Sequence, residues 1–111
     1  MKQLSRVEAF RELTDWSNAS PVGFTFARSD ATIHFTTRRT QLEVHEPHLL
    51  LKSKDSGVTQ VFCPDDTRFS VISADEFVSE FSVAGNIKPP FETALCILFP
   101  DKDFCLIFTE K

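Results

Sequence analysis

The sequence predicts an α+β domain: an N-terminal helix, a mainly antiparallel meander of about seven or eight strands, and an internal helix before a C-terminal β-hairpin. Three observations carry this. A capping box at Ser5 and Glu8 opens a stretch of helical periodicity, alternation of period two begins at Val22, and the last two apolar runs have no face fit for water.

After Ser5, the residues Val7, Phe10, Leu13 and Trp16 recur every third position, with Glu8, Arg11, Glu12 and Asp15 on the other side of the wheel. This is an amphipathic cover helix, ended by Asn18 and Ser20-Pro21. Val22, Phe24 and Phe26 then alternate, a turn is expected at Ser29-Asp30, and Ile33 and Phe35 lie opposite Thr32, His34 and Thr36, which reads as a half-exposed hairpin. Past Arg38-Arg39 a separate strand sets Leu42 and Val44 against Gln41, Glu43 and His45. Pro47 interrupts before Leu49–Leu51, implying a bend or an edge. Lys54-Asp55-Ser56-Gly57 is the strongest turn signal, and Val58–Cys63 is the returning strand. Pro64-Asp65-Asp66 turns into a short strand, Arg68–Ile72.

A second capping box, Ser73 to Glu76, opens a helix over Ala74–Ala84, with Phe77, Val78, Phe81 and Ala84 on one arc and Gly85-Asn86 as its stop. Ile87–Phe91, with Pro89-Pro90, is a stiff connector. It leads to Thr93–Phe99 and Phe104–Thr109, joined by Pro100-Asp101-Lys102-Asp103 and placed mid-sheet. If Pro100-Asp101 alone form the turn, Cys96 faces Cys105; if all four residues loop out, it faces Ile107. With both helices on one face, the other face of this hairpin needs a cover, either by curling of the sheet toward a barrel or by a second copy of the chain.

At 111 residues the chain is one domain by length, and 41% hydrophobic with 25% charged residues is ordinary globular composition. Twelve Phe, one Trp and no Tyr make a core of large apolar bodies with few buried polar tips. A net charge of −4 disfavours nucleic-acid and anionic-membrane binding, and no window approaches the length of a membrane span. The acidic excess lies in residues 55–111, which hold ten acids against four bases. Cys63, Cys96 and Cys105, odd in number and without CxxC spacing, fit a reducing, cytoplasmic setting, where buried thiols act as small hydrophobes.

No local catalytic signature is present: neither GxSxG, nor HExxH, nor a glycine-rich phosphate loop. The carboxylate pairs Asp65-Asp66 and Asp75-Glu76 read as a turn and a helix start. His34, His45 and His48, with Glu43, Glu46 and Cys63, are the candidate metal set of a small-molecule or metal-binding barrel, although the odd spacing puts His45 and His48 on opposite faces of an extended strand. Arg38 and Arg39, with Arg28, Lys52 and Lys54, are a candidate basic patch, and Trp16 at the rim of its helix is a candidate interface anchor. The leading expectation is a non-enzymatic protein-binding or assembly module without a cofactor, acting through a protein partner or a homodimer. An adaptor or a small acidic chaperone for secreted proteins fits that size and charge, without a motif to carry it.

Overall fold

The computed structural model describes residues 1–19, 21–28, 33–54, 57–80 and 91–109. Its elements are β1 (Lys2–Leu4), α1 (Arg6–Ala19), β2 (Val22–Ala27), β3 (Ile33–His45), β4 (His48–Ser53), β5 (Gly57–Phe62), β6 (Arg68–Ser73), α2 (Ala74–Glu80), β7 (Thr93–Leu98) and β8 (Phe104–Thr109). The strands form one antiparallel sheet in the order β1-β6-β7-β8-β2-β3-β4-β5, which is not closed and has β1 and β5 at its edges. The expected α+β architecture with the terminal hairpin in mid-sheet is therefore present, and the sheet is open.

Both capping boxes form. Ser5 N–H donates to Glu8 Oε1 at 3.0 Å while Glu8 N–H donates to Ser5 Oγ at 3.1 Å. Ser73 and Glu76 repeat the exchange at 3.1 Å in both directions. Each satisfies two backbone donors that a helix start leaves orphaned. The second helix is described as far as Glu80, and the expected stop at Gly85-Asn86 lies outside the described residues, as does the turn at Ser29-Asp30.

Several expectations are corrected. The strand break at Arg38-Arg39 does not occur: β3 runs unbroken for 13 residues. Between the pairs Val22↔Thr40 and Phe24↔Thr37 it carries one residue more than β2, and Arg39 takes up the excess with φ of 54°. This is a bulge, bridged by the Thr37 and Thr40 hydroxyls at 2.9 Å, and it bends the strand where two separate strands were expected. Lys2–Leu4, too short for a periodic signal, is a strand against β6. The β2 strand is buried on both faces rather than half exposed, because Gly23 and Thr25 lie beneath β8 side chains on one face while Val22 and Phe24 enter the core on the other.

A further correction concerns the helices, which cover opposite faces. Ala9, Phe10 and Leu13 of α1 pack with Val22, Phe24, Leu95, Ile97, Cys105 and Ile107. Phe77 of α2 packs with Ile72 and with the alternate residues of the same strands, Ala94, Cys96, Phe104, Leu106 and Phe108. The central hairpin thus has cover above and below within one chain, and that face no longer calls for a second copy. Each fully buried Leu, Ile or Phe there contributes about 1.5–3 kcal/mol of transfer free energy. The bent second half of β3, with β4 and β5, extends the α1-side core through Leu42, Leu49, Leu51 and Val61.

The hairpin loop is neither of the two expected lengths. Phe99 O accepts from Lys102 N–H and Phe99 N–H donates to Asp103 O, both at 2.9 Å, so three residues, Pro100 to Lys102, are looped out with Lys102 at φ of 72°. The odd loop shifts the register by one: Cys96 pairs with Leu106 and Cys105 with Ile97. The two thiols consequently lie on opposite faces.

One side chain ties the edges of this arrangement together. Arg6, at the start of α1, donates from Nε to Glu46 at 3.0 Å, from Nη1 to Pro64 O at 3.0 Å and from Nη2 to Cys63 O at 2.6 Å. Its guanidinium also stacks 5.2 Å from the Phe10 ring centroid and 6.0 Å from that of Phe69.

Candidate interaction surface

The β5 strand, Gly57-Val58-Thr59-Gln60-Val61-Phe62, is an edge strand without a charged residue. Gly57 starts it at φ of 75°, a left-handed value that suits the turn expected there, although Asp55 and Ser56 themselves lie outside the described residues. Period two sends Thr59 and Val61 toward the core and Val58, Gln60 and Phe62 outward. Val58 is 63% exposed and Phe62 52% exposed, two large apolar side chains on the same outward row of one strand.

These residues belong to an outer face made by β3, β4 and β5. Its rows are read from the register: Gln41, Lys52 and Val58; Glu43, Leu50 and Gln60; His45, His48 and Phe62. Two pairs of its polar members are joined to each other. Lys52 Nζ lies 2.7 Å from Glu43 Oε2, a hydrogen bond that holds the Glu43 carboxyl below its usual range. Gln60 Nε2 meets His48 Nδ1 at 3.0 Å, and the His48 ring sits 5.1 Å from that of Phe62. Beside the exposed Gln41, His45, Lys52 and Gln60, the face also holds Val58 and Phe62 open to solvent, with half-buried Leu50 between them.

The backbone at this edge is directional. Cys63 N–H donates to Pro47 O at 2.9 Å, which marks a hydrogen-bonded level of the β4–β5 pair. Such levels alternate, so Val61, Thr59 and Gly57 turn their N–H and C=O groups to β4, and Val58, Gln60 and Phe62 turn theirs away from the sheet. The opposite edge differs: β1 has three residues, begins with Lys2, and exposes no large hydrophobic residue. Short, charged edges resist strand addition and long neutral ones invite it.

The residues singled out from sequence are placed as follows. Trp16 is half buried against the α1-side core. Arg38 and Arg39 are exposed at the β3 bulge, and Arg39 lines a groove of about 350 Å³ with Ser17, Pro21 and Gln41 near the end of α1. The wider basic patch does not assemble: Arg28 follows the far end of β2 from that bulge, and Lys52 is engaged by Glu43. His45 and His48 are brought together, contrary to the odd-spacing argument, because the chain reverses at Glu46-Pro47 and pairs them on one face. The His34 side chain lies outside the described set, and no group of three or more His, Cys, Asp or Glu suited to a metal ion occurs among the described residues.

All three cysteines are buried and unpaired. Burial pushes the Cys63 thiol up to about 11 and the Cys96 thiol to about 12, and it pushes Cys105 well above the ordinary thiol value. They are held protonated and are poor nucleophiles.

Val58 and Phe62 were not singled out by sequence reasoning. The available signal was the absence of charge between Gly57 and Phe62, which distinguishes an exposed edge from a buried strand only once the strand order is known. No helix among the described residues is long and apolar enough to cross a membrane. Set against known proteins, the chain matches no family model, and neither the curated proteins nor the solved structures include one similar enough to carry a functional argument.

Proposed function

We propose that this chain is a small non-enzymatic protein-binding module that takes its protein partner on the free edge of β5 by strand addition. The observation that carries this reading is an uncharged edge strand of six residues holding Val58 and Phe62 in solvent. An added strand gains main-chain hydrogen bonds from the outward groups of Val58, Gln60 and Phe62, and side-chain contact over the apolar part of the outer face. Buried, protonated thiols support a binding role over a nucleophilic one, and three free cysteines support a reducing, cytoplasmic setting.

The test uses the immobilised chain and its Val58→Lys/Phe62→Lys variant, exposed to proteins of the cell from which the chain comes. A partner held by the wild type and lost from the variant is the expected result. Equal retention by both chains overturns the reading.

A further inference from the structure

We infer that the strand added to β5 is the β5 of a second copy of this chain, paired antiparallel about a two-fold axis at Gln60. The inference rests on the strand-addition reading above and names its partner.

Among two-fold registers that set outward groups against outward groups, the one centred on Gln60 matches the strand's exposed apolar side chains to each other. Antiparallel pairing centred on Gln60 sets Gln60 against Gln60 of the other copy, and Val58 against Phe62 twice. Those are the residues whose backbone groups face outward, so each level exchanges both hydrogen bonds with its counterpart. A shift by one residue would oppose outward groups to inward ones and lose the ladder. On the outer face the same register sets Val58 beside Phe62 on both sides of a central glutamine pair, so the strand's two exposed large hydrophobic side chains partly cover each other.

Charge favours a copy as the occupant. Two-fold pairing opposes like to like near the axis, so a charged edge strand repels itself there, and β5 carries no charge. At the ends, exposed Lys54 precedes the strand and the turn with exposed Asp65 and Asp66 follows it, so antiparallel pairing brings the basic end of one copy to the side of the acidic turn of the other. Asp55, beside Lys54, lies outside the described residues.

The experiment is native mass spectrometry, with light scattering from low to high micromolar concentration, of three chains: wild type, Gln60→Pro and Val58→Lys/Phe62→Lys. Proline at 60 removes an outward N–H and the Gln60 side-chain contact to His48, and leaves the backbone ladder to β4 intact. The expected result is a wild-type dimer and loss of dimer mass in both variants, each checked for folding by circular dichroism and Trp16 fluorescence. Register is read separately: Gln60→Cys crosslinks to a disulfide dimer on mild oxidation, whereas Gln41→Cys, two strands inward on the same face, does not.

A wild-type chain that stays monomeric throughout overturns the inference, as does a dimer that survives in a folded Gln60→Pro chain or crosslinks equally through position 41. The two readings separate in the partner assay. A monomer that holds a different protein through β5, and loses it in the lysine variant, overturns self-pairing and leaves strand addition standing; a monomer whose binding ignores β5 overturns both.

Discussion

Gly23 lies directly opposite Phe108 across the β2–β8 pair, and the phenyl ring fills the place where a side chain at 23 would begin. A Cβ there would meet ring carbon Cε2 at 2.2 Å. The ring has little freedom to withdraw, since it is 1% exposed and Phe91 packs on it at 5.3 Å between centroids. Gly23→Ala is therefore expected to lose about 1–3 kcal/mol by overpacking, and Phe108→Leu in the same chain should restore part of that loss. Urea denaturation of the single and double variants checks both statements; additive losses would show that the two residues do not compete for the same space.

Arg6 supplies donors to two carbonyls that no other described side chain reaches, Cys63 O and Pro64 O, while its plane covers Phe10 and Phe69. Lysine keeps the charge but not the fork, so Arg6→Lys is expected to cost about 1–2 kcal/mol. Arg6→Met should cost as much or more, because it keeps the apolar stem but withdraws the donor from Cys63 O and leaves Pro64 O with the Thr67 N–H. Unfolding followed by Trp16, the single tryptophan, measures the difference.

The local features were readable where chemistry is local. Ser5 with Glu8 and Ser73 with Glu76 each announced a helix start, and the alternation of Leu95, Ile97 and Cys105, Ile107 against Cys96 and Leu106 announced a strand pair buried on both sides. What failed needed non-local information. The Arg38-Arg39 pair looks like a break because two like charges interrupt the alternation, yet one residue in the left-handed region lets β3 continue. His45 and His48 are separated oddly along the chain and still share a face, since parity arguments hold within a strand and fail across a turn. The same blindness hid the exposed edge: Val58–Phe62 is written like any returning strand, and only the order of strands makes it an edge.

The thiols give the protein a predictable response to alkali. Folded Cys63 and Cys96 titrate near 11 and 12, with Cys105 also raised, whereas unfolded thiols ionise near 8.5. The folded chain binds these protons more tightly, so their stabilising contribution is complete below the unfolded value and declines as pH rises through the range up to the folded ones. Chemical denaturation should give a midpoint that falls steadily from about pH 9 upward, and a Cys96→Ala chain should fall less steeply. At neutral pH all three thiols should resist a disulfide-exchange reagent until denaturant is added; rapid labelling of the native chain would contradict their burial.

Lys102 tests whether the hairpin loop sets the register or merely follows it. Its φ of 72° places a side-chain-bearing residue in the left-handed region, at the position of a three-residue loop that glycine fills most readily. Relief of roughly 1–2 kcal/mol of steric cost is offset by about 0.5–1 kcal/mol of added freedom in the unfolded chain, so Lys102→Gly should be neutral to about 1 kcal/mol more stable. Lys102→Val, β-branched in the same place, should be destabilised, and its strain can be escaped only by changing the loop length, which would move Cys96 from opposite Leu106 and turn one thiol to the other face. The hydrophobic halves of the hairpin oppose that slip, because both faces are already matched to their covering helices. The expected outcome is thus a less stable Lys102→Val chain with unchanged strand pairing, measured by thermal unfolding together with nuclear Overhauser contacts between Cys96 and Leu106. A shifted set of contacts would mean that the loop, and not the buried faces, holds the register.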